Sequence, residues 1–446
     1  MRREIAVRLS RWSVLVCIPL LAVAEETETG ERPISADAQV VNFGNNAMWS
    51  PLHSLVRSIE ASFIDEASFD VHLRGYYFEY NQASGNVSKA TAIGGEVVGE
   101  TGKIANYFSV GAGVATSQRL TGELDEDGTG LLKPGQEGYT VLHLAYVDGT
   151  FGDSKVNQLG VRAFRQEINT PFINKNDSRM TPNTFEAYRA VGRWVANQEA
   201  EQSLDYLIGY VDKMKARNSD QFIPMDEIVG ANTQGTDGVF MAGGRWNHGK
   251  QLAVGAIGEV LPDALTHVYS GLSFQSQLMS DWKWRTEAQA TFQAVGSRID
   301  ANEPTTWHVG LRGVGSWNNF TTRLAATSTA SGDDILSPFG GKPHYLSLML
   351  NDFDRAGEQA VGMALSYVFD VGSIKGIGML VNTAIGDGGN AGSTRSEIDA
   401  TLEWAVPEEN VLHGVWLRLR YASTQESGVP GRGEQWRAII DYRVHL

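Results

Sequence analysis

Cysteine is nearly absent: the 446-residue chain carries one, Cys17. That residue falls in a segment read below as a cleaved leader. A disulfide framework, a cysteine metal site and a cysteine nucleophile are therefore excluded for the rest of the chain. Long apolar runs are lacking too, since after Ala24 no window approaches the roughly 18 to 20 apolar residues of a membrane-spanning helix. Catalytic punctuation is missing. The nine histidines (53, 72, 143, 248, 267, 308, 344, 413 and 445) form no H-x-x-x-H pair, and there is no G-x-S-x-G elbow and no G-x-x-x-x-G-K-[ST] loop. Serine, histidine and aspartate are all present, but a triad is a geometry and not an inventory. The reading is of a chain with no enzyme activity, no cofactor and no metal. Positive charge is also scarce, with 37 basic against 52 acidic residues and a formal charge of −15, so the surface is unsuited to nucleic acid.

What is present is apolar residues at 42%, charged residues at only 20%, and 49 glycines, well above the ~7% of an average chain. Length alone would suggest two or three globular domains. The arrangement of the residues argues otherwise. Met1 to Ala24 reads as a secretory leader: Arg2, Arg3, Arg8 and Arg11 form a basic start, Val14 to Leu21 an apolar core, and Ala22-Val23-Ala24 a small-residue cleavage site. Acylation of Cys17 is the alternative, disfavoured by the bulk of Val16 before it. Residues 25–66 read as an N-terminal periplasmic extension. In it Leu52, Leu55, Val56 and Ile59 recur at helical spacing after a Ser50 cap and Pro51, while the acidic 25–31 run equally suits an unstructured tail. An exported chain without a spanning helix is either soluble or a β-barrel, whose strands need about 9 to 11 residues of alternating polarity.

Alternation is plain. In 281–293, Trp282, Trp284, Ala288, Ala290 and Phe292 share one parity, and Lys283, Arg285, Glu287, Gln289, Thr291 and Gln293 the other. The split recurs in 360–369, in 395–404 and from Trp436 to Leu446. Thirteen further stretches bring the expectation to seventeen strands. Because closed single-chain barrels carry an even number, an eighteenth is expected within 86–100 or 343–350. A soluble sandwich alternates as well, so alternation alone does not decide. Trp307 and Trp317 favour the membrane: ten residues at about 3.4 Å, tilted about 45°, span roughly 24 Å, close to the ~25 Å band between aromatic girdles. Two unrelated core tryptophans would give the same spacing. Trp317-Asn318-Asn319-Phe320 reads as a tight hairpin turn.

A series of segments resembles the OprD family of outer-membrane porins. They are Ser68-Phe69-Asp70, Leu73-Arg74-Gly75-Tyr76-Tyr77-Phe78, Gly128-Thr129-Gly130-Leu131, Thr170-Pro171-Phe172, Asp177-Ser178-Arg179, Pro182-Asn183-Thr184-Phe185, Asp352-Phe353-Asp354, Leu417-Arg418-Leu419-Arg420, and Gln435-Trp436-Arg437-Ala438-Ile439-Ile440-Asp441-Tyr442. The resemblance implies an all-β fold, a transmembrane antiparallel barrel of about 18 strands over 67–446, with loops folded into the lumen. It implies a monomer or weak trimer in the Gram-negative outer membrane, contacting lipid and lipopolysaccharide and inserted by the barrel-assembly machinery. The implied function is diffusion of small anionic or zwitterionic, carboxylate-bearing nutrients past arginines arrayed down one lumenal wall.

Arg418 and Arg420 lie opposite Leu417, Leu419 and Tyr421 in parity, Arg437 opposite Trp436, Ala438 and Ile440, and Arg74 opposite Phe69, Val71 and Leu73. These four are the candidates for that basic ladder. The plainer alternative makes them ordinary lumenal cations paired with nearby Asp or Glu. Asn169 to Thr184 is too long for a tight turn and carries Asp177, Ser178 and Arg179, which with Asp352 are candidates for a constriction; alternatively Arg179 pins this segment to the wall. Two departures weaken any choice of substrate by analogy: Tyr80 stands where better-known members carry a basic residue, and the 330–350 stretch is shorter than the family's long loop. A barrel hydrolase and a plugged structural or adhesin barrel are the alternative functions.

Overall fold

Strands form where the alternation is strongest, because a β-strand turns successive side chains to opposite faces. In the computed structural model they are β1 (Ser68–Asn81), β2 (Val87–Glu100), β3 (Phe108–Thr121), β4 (Tyr139–Asp153), β5 (Asn157–Gln166), β6 (Thr184–Asn197), β7 (Gln202–Lys215), a three-residue β8 (Phe222–Pro224), β9 (Val239–His248), β10 (Leu252–Leu261), β11 (Leu265–Met279), β12 (Trp282–Val295), β13 (Thr305–Trp317), β14 (Phe320–Thr329), β15 (Gln359–Val371), β16 (Ile374–Gly386), β17 (Arg395–Ala405), β18 (Val415–Glu426) and β19 (Gly433–His445). The structure describes residues 67–445 apart from 104–106, 154–155, 198, 200, 232–236, 280–281, 372–373, 408–409, 411 and 413. The leader, the 25–66 extension with its Ser50 helix, and Leu446 lie outside the described residues.

Each strand pairs antiparallel with the next, except that β8 caps the end of β7 and β9 takes β7 as its partner; β19 returns to β1. Eighteen strands thus close on themselves and leave no sheet edge, which is what lets a β structure satisfy its backbone inside a bilayer. The eighteenth strand is β2, inside 86–100. Its alternation is faint because its lumenal Ala90 and Ala92 are buried and apolar, under Leu131 and Leu132. The other candidate, 343–350, is not a strand: Tyr345, Leu346 and Leu348 pack inside the barrel against Ala360, Ala364, Leu380 and Ala384.

The outer wall is the apolar parity. Leu73, Ile208, Leu311 and Leu324 are all more than half exposed, an arrangement that water would punish and lipid satisfies. Trp307 and Trp317 both point outward near the two ends of β13, and Trp317 stacks on Trp282 of β12 at 6.1 Å between ring centroids. Asn318 takes φ 51° in the two-residue β13–β14 turn, the left-handed conformation that such a turn demands. The longest connections, 122–138, 167–183, 216–238 and 330–358, all leave the opposite end, which marks that end as extracellular.

Three of these connections fold back into the lumen as apolar plugs. Ile168, Phe172 and Ile173 of 167–183, with Ile335 and Phe339 of 330–358, pack on Val191, Leu207, Val211, Met241 and Ile257 of the inner wall. The two loops are joined by backbone bonds: Asn174 N–H donates to Phe339 O at 3.0 Å, and Gly341 N–H to Phe172 O at 2.9 Å. The approach requires glycine, because a Cβ on residue 341 would sit 2.0 Å from the Pro171 carbonyl oxygen. Leu131, Leu132 and Met180 form a third patch on Tyr76, Phe78, Ala90 and Ala92.

Candidate functional site

The closure of the barrel brings the first strand to the last two, so β18, β19 and β1 make one continuous stretch of lumenal wall. On it Arg420 stands directly opposite Arg437, and Arg74 opposite Asp441. All four ladder candidates face the lumen and are largely buried, but their surroundings differ. Arg74 is fully compensated: Nε and Nη2 donate to the Asp441 carboxylate at 2.7 and 3.2 Å, and Nη1 donates to Asp177 Oδ1 at 2.6 Å and to the Arg179 carbonyl. Arg418 is paired as well, with Nε and Nη2 on Glu403 Oε2 at 3.0 and 2.8 Å and its guanidinium 3.9 Å from the Trp416 ring. Among the described residues Arg420 donates only to the Thr401 hydroxyl, at 3.3 Å, and Arg437 to Gln435 Oε1 at 2.6 Å.

The 167–183 loop completes this region. Asp177 docks it on Arg74. The Ser178 carbonyl accepts from the Tyr76 hydroxyl at 3.2 Å and from Arg179 Nη1 at 2.9 Å. Arg179 Nε donates to the Thr129 carbonyl at 2.8 Å, so this arginine ties two loops to each other, while Arg74 ties the loop to the wall. Arg217, two residues beyond β7, reaches the same point: its Nη1 donates to Ser178 Oγ at 2.5 Å and to Asn176 Oδ1 at 3.2 Å. Phe78 lies between the wall and loop arginines, its ring centroid 4.8 Å from the Arg179 guanidinium carbon and 5.6 Å from that of Arg437. Contact with the ring face holds these cations while leaving N–H edges available. Burial, followed by the fields of Arg217, Arg437 and Arg420, pushes Arg179 well below the usual arginine value; burial and Arg437 act on Arg217 in the same direction.

Acidic side chains sit beside this group on β17, but they are occupied by backbone. Glu397 accepts from Leu350 N–H and Asn351 N–H, each at 2.8 Å, and Asp399 from Met349 N–H at 3.2 Å, so the 330–358 loop hangs from these two carboxylates. Asp352 belongs to that loop, where it takes Lys342 and the Ser347 hydroxyl, and it does not join the arginine group. Tyr80 packs at the edge of the Tyr76–Phe78 cluster. Among the described residues no three His, Cys, Asp or Glu side chains are arranged to hold a metal ion.

Two members of the site escaped the sequence reading. Asp441 had a usable signal, because a closed barrel must pair its first and last strands and so set Arg74 beside it. Arg217 had none, since its role depends on a loop crossing to Ser178.

The fold recurs in solved structures. Pseudomonas aeruginosa OccK9 (OpdG) superposes with a TM-score of 0.74 at 19% identity, over 86% of this chain and 100% of its own. Acinetobacter baumannii OccAB3 gives 0.72 at 19%, over 85% and 99%. P. aeruginosa OpdK, in a structure with vanillate, gives 0.71 at 19%, over 86% and 100%. At these identities the likeness concerns the fold. No curated protein matches the chain in sequence. The family description "outer membrane porin, OprD family" matches residues 61–446, nearly the whole chain. With the closed eighteen-strand barrel, this makes the chain a member of the OprD family of outer-membrane porins, substrate-specific channels that sit in lipid and pass small solutes.

Proposed function

We propose that this porin admits small carboxylate-bearing solutes through a constriction between the 167–183 loop and the β18–β19–β1 wall. The observation that supports this best is the group Arg420, Arg437, Arg179 and Arg217. None of the four is in an ion pair with a carboxylate among the described residues, and all retain donors. In a narrow aqueous passage such guanidinium groups replace part of the hydration of an anion and hold a carboxylate through two parallel hydrogen bonds. Arg418 and Arg74 act differently in this reading. Arg418, balanced by Glu403, lies next along the wall from Arg420, and Arg74 holds the loop that narrows the path. The OpdK structure with vanillate, an aromatic carboxylate, is consistent with such chemistry in a protein of this fold.

The test is single-channel recording of the purified full chain in planar bilayers, with and without small carboxylates. Discrete channels whose current is altered by carboxylates are expected, and Arg420→Ala with Arg437→Ala removes that effect. Channels that respond to carboxylates as before in this double variant overturn the assignment. A second reading, a plugged structural barrel, draws on the apolar packing of 167–183 and 330–358 inside the wall. It requires the same recordings to show no conductance under any salt condition.

A further inference from the structure

We infer that the constriction is matched to solutes carrying two or more carboxylates, a preference that rests on the carboxylate-porin reading above. The argument is one of charge balance at a single place. Arg217 and Arg179 converge on Ser178, Arg179 and Arg437 share the Phe78 ring, and Arg437 faces Arg420 across adjacent strands. Side chains directly opposed on neighbouring strands are about 5 Å apart at Cβ, close enough for like charges to repel. Four guanidinium groups thus form one connected set.

The local acids offset it only in part. Asp177 is bound to Arg74 and Glu403 to Arg418; Glu397 and Asp399 accept from the backbone of 349–351, bonds that leave their charge in place, and among the described residues neither is within ion-pair distance of the four arginines, so at most two carboxylates stand against four guanidinium groups. Asp399, on the strand next to β18, is the acid best placed to offset Arg420. A bound monocarboxylate pairs with one guanidinium and leaves the remaining cations uncompensated in a partly dehydrated space. A second carboxylate on the same solute engages another member of the set and relieves that repulsion, without the entropy cost of ordering a second molecule. An α-amino acid gains less, because its ammonium group adds to the cationic crowding.

Butanoate and succinate share a four-carbon chain and differ in one carboxylate, and citrate adds a third. With the full chain in planar bilayers, succinate is expected to interrupt the chloride current at a concentration about tenfold lower than butanoate, with citrate at least as effective as succinate. Arg217→Gln combined with Arg437→Gln is expected to bring succinate and butanoate within about twofold of each other. Glutamine retains a donor toward Ser178, and heat-modifiable migration on gels, together with a surviving chloride current, shows that the variant is folded. Equal potency of butanoate and succinate on the unaltered protein overturns the inference and leaves the carboxylate reading standing. So does a tenfold difference that survives in the double variant. If none of the three acids affects a channel that conducts chloride, the carboxylate reading falls and takes the inference with it.

Discussion

The two sides of the lumen receive the same loops in opposite ways. Toward β6, β7 and β9 to β12, the 167–183 loop is held by dispersion and burial: Phe172, Ile168 and Ile173 sit on a buried apolar wall, and Phe172 stacks on His267 at 3.9 Å. Toward β18, β19 and β1, the same loop is held chiefly by charge, through Asp177 on Arg74, with Met180 adding an apolar contact on Tyr76 and Phe78, and its residues Ser178 and Arg179 join the arginines that lack a carboxylate partner. One side is sealed and the other is left polar. Strand parity supplies inward positions equally all round the barrel, so it is the content of those positions, apolar or cationic, that sets the two sides apart.

The largest expected effect is from removing the polar anchor. Arg74→Ala strips a guanidinium from Asp441 and Asp177 together, leaving the buried Asp441 carboxylate with only His72 at 3.1 Å and the part-buried Asp177 with Arg443 at 3.9 Å, at a cost of about 3 kcal/mol. The barrel should survive with a lowered unfolding midpoint in denaturant, read by heat-modifiable migration. The released loop should give a larger, noisier single-channel conductance with weaker discrimination among anions. An unchanged conductance would show that the apolar side alone holds the loop, and the contrast between the two sides would fail.

A smaller effect of a different kind is expected across the lumen. Phe172→Ala removes a fully buried ring and its contact with His267, costing about 3 kcal/mol because the rigid wall behind it cannot collapse into the space. The passage so opened would be lined by apolar residues. The expected signature is faster swelling of proteoliposomes in small neutral sugars, with carboxylate preference diluted by the added leak. Were Phe172→Ala to change carboxylate discrimination as strongly as Arg74→Ala while admitting no sugar, the sealed side would belong to the solute path.

Much of this contrast was legible in the sequence, and the part that was not has a physical cause. Alternation placed Arg74, Arg418, Arg420 and Arg437 on the lumenal parity, where the structure has them, because a period of two needs no knowledge of neighbours. It passed over β2 because Ala90 and Ala92 face an apolar plug instead of water, so both faces of that strand read alike. The division of the arginines into balanced and unbalanced was out of reach. Glu403 and Thr401 belong to the strand paired with β18, and Asp177 arrives from a loop more than a hundred residues from Arg74. Asp352 was singled out for its motif, yet its partners Lys342 and Ser347 lie within its own loop, where it shapes the plug instead of the polar wall.

The smallest effect is expected at the roof above the polar side, and it asks whether charge there acts at a distance or only in contact. Lys133 Nζ donates to Asp220 Oδ2 at 2.9 Å, joining the loop that carries Thr129, the acceptor for Arg179, to the segment that carries Arg217. Both side chains are more than a quarter exposed, so solvent screens the pair. The hydrogen bond from Lys133 holds the Asp220 carboxyl below its ordinary value of about 3.9. The sign follows: a lowered carboxyl pKa contributes stability that is present above the ordinary value and is lost as the pH falls through the lowered one. Current flicker in the unaltered channel should therefore rise slightly below about pH 4, and Lys133→Ala should remove that pH-dependent increment while adding a little flicker at neutral pH. The ratio of succinate to butanoate potency should be the same in Lys133→Ala as in the unaltered chain, because a screened cation at the rim does not touch the solute. A shifted ratio would mean that selectivity is set by the field of the whole extracellular face, and the distinction between a charged wall and a sealed one would lose its explanatory value.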